Sequence, residues 1–249
     1  MNSSLKSIWT DTFTVQWCDA GTKGKASIVA LSRFLQESAL RHADHLGVGF
    51  REDVDPDKIW VVVRMQVEVA FYPHWGETVT VQTWPRGVEG HFALRDFEIT
   101  DSKGIIICVA TSRWLILDAV LHSPLPIKSV LSILSLADPR KALEANSSAR
   151  IPAGLFVYLK KYTVQYSDID RHNHVNNTCY IEWIINAFTG TWHAEHEMAG
   201  FRIDYLSESL LDDEIDISAD RPDAIETWIK AIRSSDGKTI FKALVNWRR

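Results

Sequence analysis

The chain has 249 residues, of which 46% are hydrophobic, and it carries a formal net charge of −5. This length is enough for two domains that each have a core of their own. The negative charge argues against a nucleic-acid partner, and no apolar run of about 18 residues is present that could span a membrane. The 3 cysteines have no paired spacing and no apolar leader is visible at the start. We therefore expect a cytoplasmic protein with reduced thiols.

The first half of the sequence has the pattern of a strand, a helix and four further strands. Alternation of Phe13, Val15 and Trp17 with polar residues predicts a half-buried strand over 12–17. Apolar residues then recur at helical spacing over 28–46, on so much of the surface that we expect sheet around this helix. Four segments rich in β-branched and aromatic residues predict antiparallel strands: 59–71, 78–84, 93–100 and 105–117.

The second half repeats this order more briefly. A strand is predicted over 161–166, followed by a helix from 177 to about 193 that is apolar nearly all round. The strands predicted after it are 201–206, 214–218, 224–233 and 239–247. Prolines and an Asn-Ser-Ser run between the halves indicate a linker, with room for one short helix at 129–136. The predicted organisation is therefore an amino-terminal module at 1–120, a linker at 121–156 and a carboxy-terminal module at 157–249.

An internal repeat relates the two halves. Residues 13–19 read Phe-Thr-Val-Gln-Trp-Cys-Asp and residues 162–168 read Tyr-Thr-Val-Gln-Tyr-Ser-Asp, at an offset of 149. A further match, of Glu77 with Asp213, falls at offset 136. Two copies of one module, each a long buried helix wrapped by a curved antiparallel sheet, predict an α+β fold of the tandem (double) hot-dog type. Two α+β domains that merely share a composition are the alternative.

A polar cluster occupies residues 168–177, between the strand and the helix predicted for the second copy. Amide groups at a helix start point outward and can stabilise a developing negative charge. By residue type alone the cluster fits a helix cap, a catalytic site or a zinc site. Strand-end and cap positions do not by themselves make a tetrahedral cage, so we expect no metal and no other cofactor. The cluster holds a carboxylate at Asp170, imidazoles at His172 and His174, and amides at Asn173, Asn176 and Asn177.

The first copy lacks these side chains. At offset 149 the carboxylate and the two imidazoles correspond to Gly21, Lys23 and Lys25. We therefore expect one active site per chain, in the carboxy-terminal module. The amino-terminal module is then expected to serve as a binding wall and scaffold.

Residues 167–180 read Ser-Asp-Ile-Asp-Arg-His-Asn-His-Val-Asn-Asn-Thr-Cys-Tyr. This string resembles the second-half signature of the acyl-acyl carrier protein (acyl-ACP) thioesterases of plants and bacteria. The blocks at 72–76 (Tyr-Pro-His-Trp-Gly) and 110–114 (Ala-Thr-Ser-Arg-Trp) are similar to first-half blocks of that family. The resemblance extends over about 13–247. It implies hydrolysis of fatty acyl-ACP to free fatty acid and holo-ACP in fatty acid biosynthesis, with acyl-ACP as the partner and no cofactor.

The resemblance also implies which residues form the site. The family's catalytic Asp and His fall on Asp170 and His174, whereas His172 stands where the family has Asn. In another block of the family, the acidic residue aligns with Glu208 and a cysteine aligns with Ser209. Because a serine replaces that cysteine, the resemblance favours a mechanism carried by carboxylate and imidazole groups. The catalytic residues it implies are Asp170, His172, His174 and Glu208.

In that mechanism Glu208 activates water as a general base or attacks the thioester directly, while an Asp orients an imidazole. Asn176 or Asn177 caps the helix or binds the thioester oxygen. Trp60 and Met65 are expected in the core or along an acyl tunnel, where they would bind substrate.

Three other functions stay open at this point: an acyl-CoA thioesterase, a hot-dog hydratase or dehydratase, and a non-catalytic acyl-chain binding protein silenced by the departure at His172. We expect no nucleic-acid partner and no membrane span, and self-association into a homodimer is open. The acyl chain length cannot be read from the sequence, because one methylene in an apolar tunnel is worth only about 0.8 kcal/mol.

Overall fold

The structure is a computed structural model that describes residues 5–49, 58–118, 120–121, 123–126, 136–144 and 151–249. The chain divides into two compact units. The first comprises the described parts of Met1–Val63 and Val69–Ala145, and the second those of Arg64–Glu68 and Asn146–Arg249. No helix in these described ranges is long and apolar enough to cross a membrane.

The first unit packs one long helix on an antiparallel sheet. Its elements are β1 (Trp9–Thr14), a 3-10 turn (Trp17–Asp19), α1 (Ile28–His45), β2 (Lys58–Val69), β3 (Thr78–Glu89), β4 (Phe92–Thr100) and β5 (Ile106–Asp118). The strands lie in the order β1-β3-β4-β5-β2. Helix α1 begins at Ile28 because the Ser27 hydroxyl accepts a hydrogen bond from the Ala30 N–H at 3.1 Å. Its buried side packs on β1 and β3, where the rings of Phe13 and Phe34 stack 4.6 Å apart.

The second unit has the same arrangement. Its elements are β6 (Val157–Thr163), a 3-10 turn (Tyr166–Asp168), α2 (Asn177–Asn186), α3 (Gly190–Glu195), β7 (Glu197–Tyr205), β8 (Glu214–Ala219), β9 (Glu226–Arg233) and β10 (Thr239–Arg248). Its strand order is β7-β10-β9-β8-β6, and Arg64–Glu68 of β2 pairs with β7. Helix α2 packs its aromatic face on the sheet: Trp183 stacks on Tyr162 at 4.5 Å, and Tyr180 contacts Phe241 at 5.6 Å. The predicted α+β fold of two hot-dog modules is confirmed.

The internal repeat is visible in the backbone as well as in the sequence. The loop before each helix is closed by equivalent hydrogen bonds, Gly21 N–H to Lys25 O at 2.8 Å and Asp170 N–H to His174 O at 2.9 Å. A second equivalent pair joins the capping residue of each helix to the end of its 3-10 turn: Ser27 to Asp19, and Asn176 to Asp168, both at 2.8 Å. The offset of 149 residues therefore relates two segments that have the same hydrogen-bonded structure.

The predicted helix over 177–193 is wrong in its length. Helix α2 ends at Asn186, whose carbonyl accepts a hydrogen bond from Lys160 Nζ at 3.1 Å. The Thr189 hydroxyl then accepts from the Trp192 N–H at 3.2 Å and starts α3. The apolar pattern continues across this break, but a new cap and Gly190 begin a separate helix. Helix α1 has 18 residues, whereas α2 has 10.

The predicted strand over 12–17 is displaced. Strand β1 ends at Thr14, and Trp17 opens a 3-10 turn in which its side chain is 75% exposed. The turn forms because the Asp19 carboxylate accepts a hydrogen bond from the Gln16 N–H at 2.9 Å, which bends the chain out of the strand. Trp17 therefore leaves the alternating pattern and contacts Trp75 edge-on at 5.2 Å.

Much of the predicted linker over 121–156, including the helix at 129–136 apart from its last residue, lies outside the described residues. The described stretch 136–144 is hydrogen-bonded to β3 and β4 of the first unit. The indole N–H of Trp84 donates to the Arg140 carbonyl at 2.9 Å, and the Arg140 guanidinium lies 4.0 Å from the centre of that indole. The Ala142 N–H donates to the buried Asp96 carboxylate at 2.9 Å. Burial raises the pKa of Asp96.

Candidate active site

The loop between the 3-10 turn and α2 is a tight reversal. Besides the bond from Asp170 N–H to His174 O, the Asn173 N–H donates to the Asp170 carbonyl at 3.0 Å. Asn173 has a φ of 61°, in the left-handed region that asparagine tolerates better than most residues. Gly24, with a φ of 70°, stands at the equivalent position of the first unit. The sequence therefore places an αL-tolerant residue where the chain must turn back.

Asp170 is bonded to the backbone of its own loop. Its Oδ1 accepts a hydrogen bond from the His172 N–H at 2.8 Å. This bond is to the backbone of His172, and the role of Asp170 in orienting an imidazole stays a prediction. The imidazole of His172 is half-buried. Asp170 thus holds the main chain of the loop that carries His172 and His174.

His174 and Glu208 form the ionisable pair of the site. Nε2 of His174 lies 3.1 Å from Oε2 of Glu208, with the two side chains 33% and 51% exposed. Water therefore reaches both groups. Glu208 does not lie on a strand: β7 ends at Tyr205, and Glu208 belongs to the loop that follows. This loop is joined to the histidine loop by a hydrogen bond from the Val175 N–H to the Ser209 carbonyl at 3.1 Å.

Ser209, at the position of the family's cysteine, is completely buried. Its neighbour is Tyr180 on α2. Burial raises the pKa of Tyr180 to about 12, so its phenol is neutral at physiological pH. A serine hydroxyl enclosed in this way is out of reach of a substrate carbonyl, so Ser209 acts as a packing residue.

The start of α2 presents one backbone donor. The side-chain oxygen of Asn176 accepts from the Thr178 N–H at 2.9 Å and from the Thr178 hydroxyl at 2.8 Å, so Asn176 is the helix cap. The Cys179 N–H donates to the Asn176 carbonyl at 2.9 Å. In the part of the chain that the structure describes, the Asn177 N–H has no acceptor. Its own carbonyl is held by the Tyr205 phenol at 3.2 Å.

The two residues expected along an acyl tunnel lie in different surroundings. Met65 is buried on β2 and pairs in register with Ile203 of β7. The indole N–H of Trp60 donates to the Val48 carbonyl at 2.8 Å, and its ring packs against a small apolar cluster of the first unit. Their roles in substrate binding stay predictions.

No three His, Cys, Asp or Glu side chains within the described ranges are grouped so that they could hold a metal ion. The 3 cysteines, Cys18, Cys108 and Cys179, are all free thiols. Cys179 is buried in α2 with its Sγ 3.8 Å from the Asp168 carbonyl. A buried thiol of this kind is usually unreactive.

One contact of the site was not expected from the sequence. Arg233, the last residue of β9, donates a hydrogen bond from Nη2 to the Glu208 carbonyl. No motif or periodicity marks this arginine.

Two family models match the chain. The model described as "Acyl-ACP thioesterase N-terminal domain" matches residues 6–129, and "Acyl-ACP thioesterase C-terminal domain" matches residues 157–249.

Curated relatives carry the same family name or a related one. A palmitoyl-acyl carrier protein thioesterase of Gossypium hirsutum, described as chloroplastic, is 30% identical over 214 residues, which cover 81% of this chain and 52% of the relative. A chloroplastic dodecanoyl-[acyl-carrier-protein] hydrolase of Cinnamomum camphora is 29% identical over 262 residues, which cover 95% of this chain and 66% of the relative. The chain thus spans about half to two thirds of the length of these relatives.

Solved structures resemble the chain over nearly its full length. An acyl-ACP thioesterase from Bacteroides thetaiotaomicron superposes with a TM-score of 0.85 at 25% identity, covering 97% of this chain and 98% of the other. A 12:0-ACP thioesterase from Umbellularia californica superposes with a TM-score of 0.86 at 23% identity, covering 99% of both chains. Because the two family models together match most of the sequence, this chain belongs to the acyl-ACP thioesterase family.

Proposed function

We propose that this chain hydrolyses fatty acyl-ACP thioesters, releasing free fatty acid and holo-ACP. The observation that carries the proposal is the pairing of His174 Nε2 with Glu208 Oε2 at 3.1 Å, in a half-exposed site of the second unit. Family membership supports the substrate class, since the relatives named above are thioesterases or hydrolases of acyl-ACP. The reaction consumes one water and yields one acid and one thiol.

The geometry supports a general-base route. Glu208, whose Oε2 lies 3.1 Å from His174 Nε2, takes a proton from a water as the water oxygen attacks the thioester carbonyl carbon. The negative charge that develops on the carbonyl oxygen needs a donor, and the unpartnered Asn177 N–H at the start of α2 supplies one. Collapse of the tetrahedral intermediate breaks the carbon–sulfur bond, and the proton held by Glu208 passes to the departing thiolate.

A direct attack by Glu208 uses the same residues. Its carboxylate would displace the thiolate and form a mixed anhydride, which water then hydrolyses. A single turnover in ¹⁸O-labelled water separates the general-base route from an anhydride that water opens at the Glu208 carbonyl carbon. The general-base route puts ¹⁸O in every molecule of fatty acid. Water attack on the enzyme side of an anhydride puts ¹⁸O in Glu208 and leaves the first acid unlabelled.

A product assay tests the proposed function. Purified chain is incubated with matched acyl-ACP and acyl-CoA substrates from short to long acyl chains, and free acid and free thiol are measured together. We expect equal amounts of acid and thiol and a higher kcat/KM for the ACP substrates, with Glu208→Gln as the inactive control. Three outcomes would contradict the proposal: a higher kcat/KM for CoA substrates, loss of water from a 3-hydroxyacyl substrate without acid release, and acyl-ACP binding without either product.

A further inference from the structure

The loop that carries Glu208 has no regular secondary structure, so its shape depends on a few specific bonds. On one side, the N–H groups of Leu206 and Ser207 donate to the Ile240 carbonyl at 2.8 and 3.1 Å. On the other side, the Ser209 carbonyl accepts from Val175 in the histidine loop. The peptide between them, at Glu208, determines where the catalytic carboxylate points.

The carbonyl of that peptide is held by Arg233. Nη2 of this arginine donates to the Glu208 carbonyl. Nη1 donates to Asp236 Oδ2 at 3.2 Å, and Nε lies 3.1 Å from Asp213 Oδ2. The side chain is only 14% exposed. A planar guanidinium thus connects the Glu208 peptide with a carboxylate on each of two turns.

Both carboxylates are themselves fixed. Oδ2 of Asp213 accepts from the Leu210 N–H at 2.9 Å, and Oδ1 of Asp236 accepts from the Lys238 N–H at 3.0 Å. The hydrogen bond from the Lys238 backbone, with Arg233 nearby, lowers the pKa of Asp236, so this carboxylate stays charged. The guanidinium therefore has little freedom to turn, and its Nη2 holds the Glu208 carbonyl in one orientation.

The first copy of the repeat provides an internal comparison. The residue that corresponds to Glu208 at offset 136 is Tyr72. The hairpin that corresponds to the one opened by Arg233 is opened by Asp101, whose N–H donates to the Ile105 carbonyl at 2.9 Å, as Arg233 N–H does to Lys238 at 2.9 Å. The arginine is found in the copy that has the carboxylate and is absent from the copy that lacks it.

We propose that Arg233 is a positioning residue that holds Glu208 in reach of His174. The inference rests on the proposed function, because it concerns the carboxylate of the hydrolytic site. Without this donor the Glu208 peptide is free to rotate, and the carboxylate leaves the position 3.1 Å from His174 Nε2. Arg233 does not itself contact the reacting atoms.

A double-mutant cycle with Glu208 tests the proposal on the full chain with one acyl-ACP substrate. Arg233→Gln should lower kcat about tenfold with little change in KM, because substrate binding is retained while the carboxylate is misplaced. If Arg233 acts through Glu208, the factor by which Glu208→Gln lowers kcat should be about tenfold smaller in the Arg233→Gln background than in the wild-type background. An equal factor in both backgrounds would overturn the proposal.

Two further variants protect the test against misfolding. Arg221→Gln removes an arginine that is ion-paired with Asp220 and Glu226 before and at the start of β9, and it should leave kcat and the cycle unchanged. If Arg233→Gln shows no cooperative unfolding transition, Arg233→Lys replaces it in the cycle, since a lysine can keep a charge near the carboxylates but lacks the planar guanidinium that reaches three separate acceptors. The same criterion of unequal factors then applies.

Failure of the two proposals can be told apart. If wild-type chain releases no acid, the proposed hydrolytic function is wrong and the inference about Arg233 fails with it. If acid is released but Glu208→Gln retains wild-type turnover, the role of Glu208 and with it the role of Arg233 are wrong. If Glu208→Gln is at least about tenfold slower but its cost is the same in both backgrounds, the hydrolytic function stands and only the role of Arg233 is wrong.

Discussion

Nε2 of His174 and Oε2 of Glu208 lie 3.1 Å apart, although the two residues belong to separate loops of the second unit. One loop is the reversal before α2, and the other follows β7. The bond from the Val175 N–H to the Ser209 carbonyl holds the loops side by side. The first unit repeats this backbone with Lys25 and Tyr72 at the two positions. The chemistry therefore depends on side chains added to a duplicated scaffold.

The backbone donor at the start of α2 can be removed without shortening the helix. Proline is favoured at the first helical position, and Asn176 has a φ of −59° and a ψ of 135°, which suits a residue before proline. Asn177→Pro should therefore keep the fold but lower kcat by about 10²–10³-fold, the cost of one lost oxyanion donor. Asn177→Ala keeps the N–H and should stay close to wild-type kcat. Equal kcat for the two variants would show that the Asn177 N–H does not serve the reaction.

The Asn176 cap should raise the free energy of unfolding of the chain. Asn176→Ala removes the acceptor for the Thr178 N–H and hydroxyl and should lower the free energy of unfolding by about 1 kcal/mol. Asn176→Asp keeps an acceptor and should keep most of the stability. Thermal unfolding of the three proteins measures this directly. A midpoint for the alanine variant that equals wild type would mean that the cap contributes nothing measurable.

Asp170 should act through its hydrogen bond to the His172 N–H, because its carboxylate contacts that N–H. Asp170→Ala should lower kcat at least about tenfold by loosening the loop, whereas Asp170→Asn retains an acceptor and should retain most of the turnover. Steady-state kinetics with circular dichroism as a fold check distinguish the two variants. An equally large loss in the asparagine variant would instead indicate that the negative charge of Asp170 takes part in catalysis.

A buried histidine of the first unit should make stability depend on pH. Burial, and then the nearby Arg95 guanidinium, lower the pKa of His42 from 6.5 to about 4. Its Nδ1 accepts from Arg95 Nη1 at 3.0 Å, so Nε2 carries the proton and donates to the Lys6 carbonyl at 2.9 Å. Below pH 6.5 the unfolded chain protonates this imidazole while the folded chain does not. Stability should therefore fall between pH 6.5 and about 4, by up to about 3 kcal/mol.

The variant His42→Gln isolates this contribution, since glutamine can donate and accept but does not titrate. Thermal unfolding at pH 7 and pH 5 should show a smaller loss of midpoint for the variant than for wild type. All other titrating groups are shared, so they cancel in the comparison. An identical loss in the two proteins would contradict the assignment to His42.

Local features of the sequence were sufficient for most of the architecture. The segments 13–19 and 162–168 already show the duplication. In the structure, equivalent hydrogen bonds close the loop before the helix in both copies. The helix after Ser27 and the helix after Asn176 start where predicted, because capping residues act on neighbours two or three positions away. Signals of this range are readable from a single sequence.

Features that depend on competition between signals were misread. The apolar pattern of α2 runs on through Phe188, yet the Thr189 cap ends its continuity and starts α3. Trp17 fits the alternation of β1, yet the Asp19 carboxylate draws the backbone into a 3-10 turn and exposes the ring. In both places a short-range hydrogen bond prevails over hydrophobic periodicity.

Contacts between residues distant in sequence were inaccessible to pattern reading alone. Glu208 could be named through the family resemblance, but its position in a loop and its distance from His174 follow from tertiary structure. Arg233 carries no signature, because a hydrogen bond to a backbone carbonyl places no demand on the identity of Glu208. Residues that position a catalytic group are for this reason the hardest to find in a sequence.

The measurement that bears most directly on the proposed mechanism is the turnover of His174→Gln, Glu208→Gln and the double variant on one acyl-ACP substrate. Residues that act as a unit lose their effect together. We expect each single variant to lose at least about tenfold in kcat and the double variant to be no slower than the slower single one. A double variant slower by the product of the two single losses, or a Glu208→Gln enzyme with wild-type turnover, would contradict a joint role for the pair.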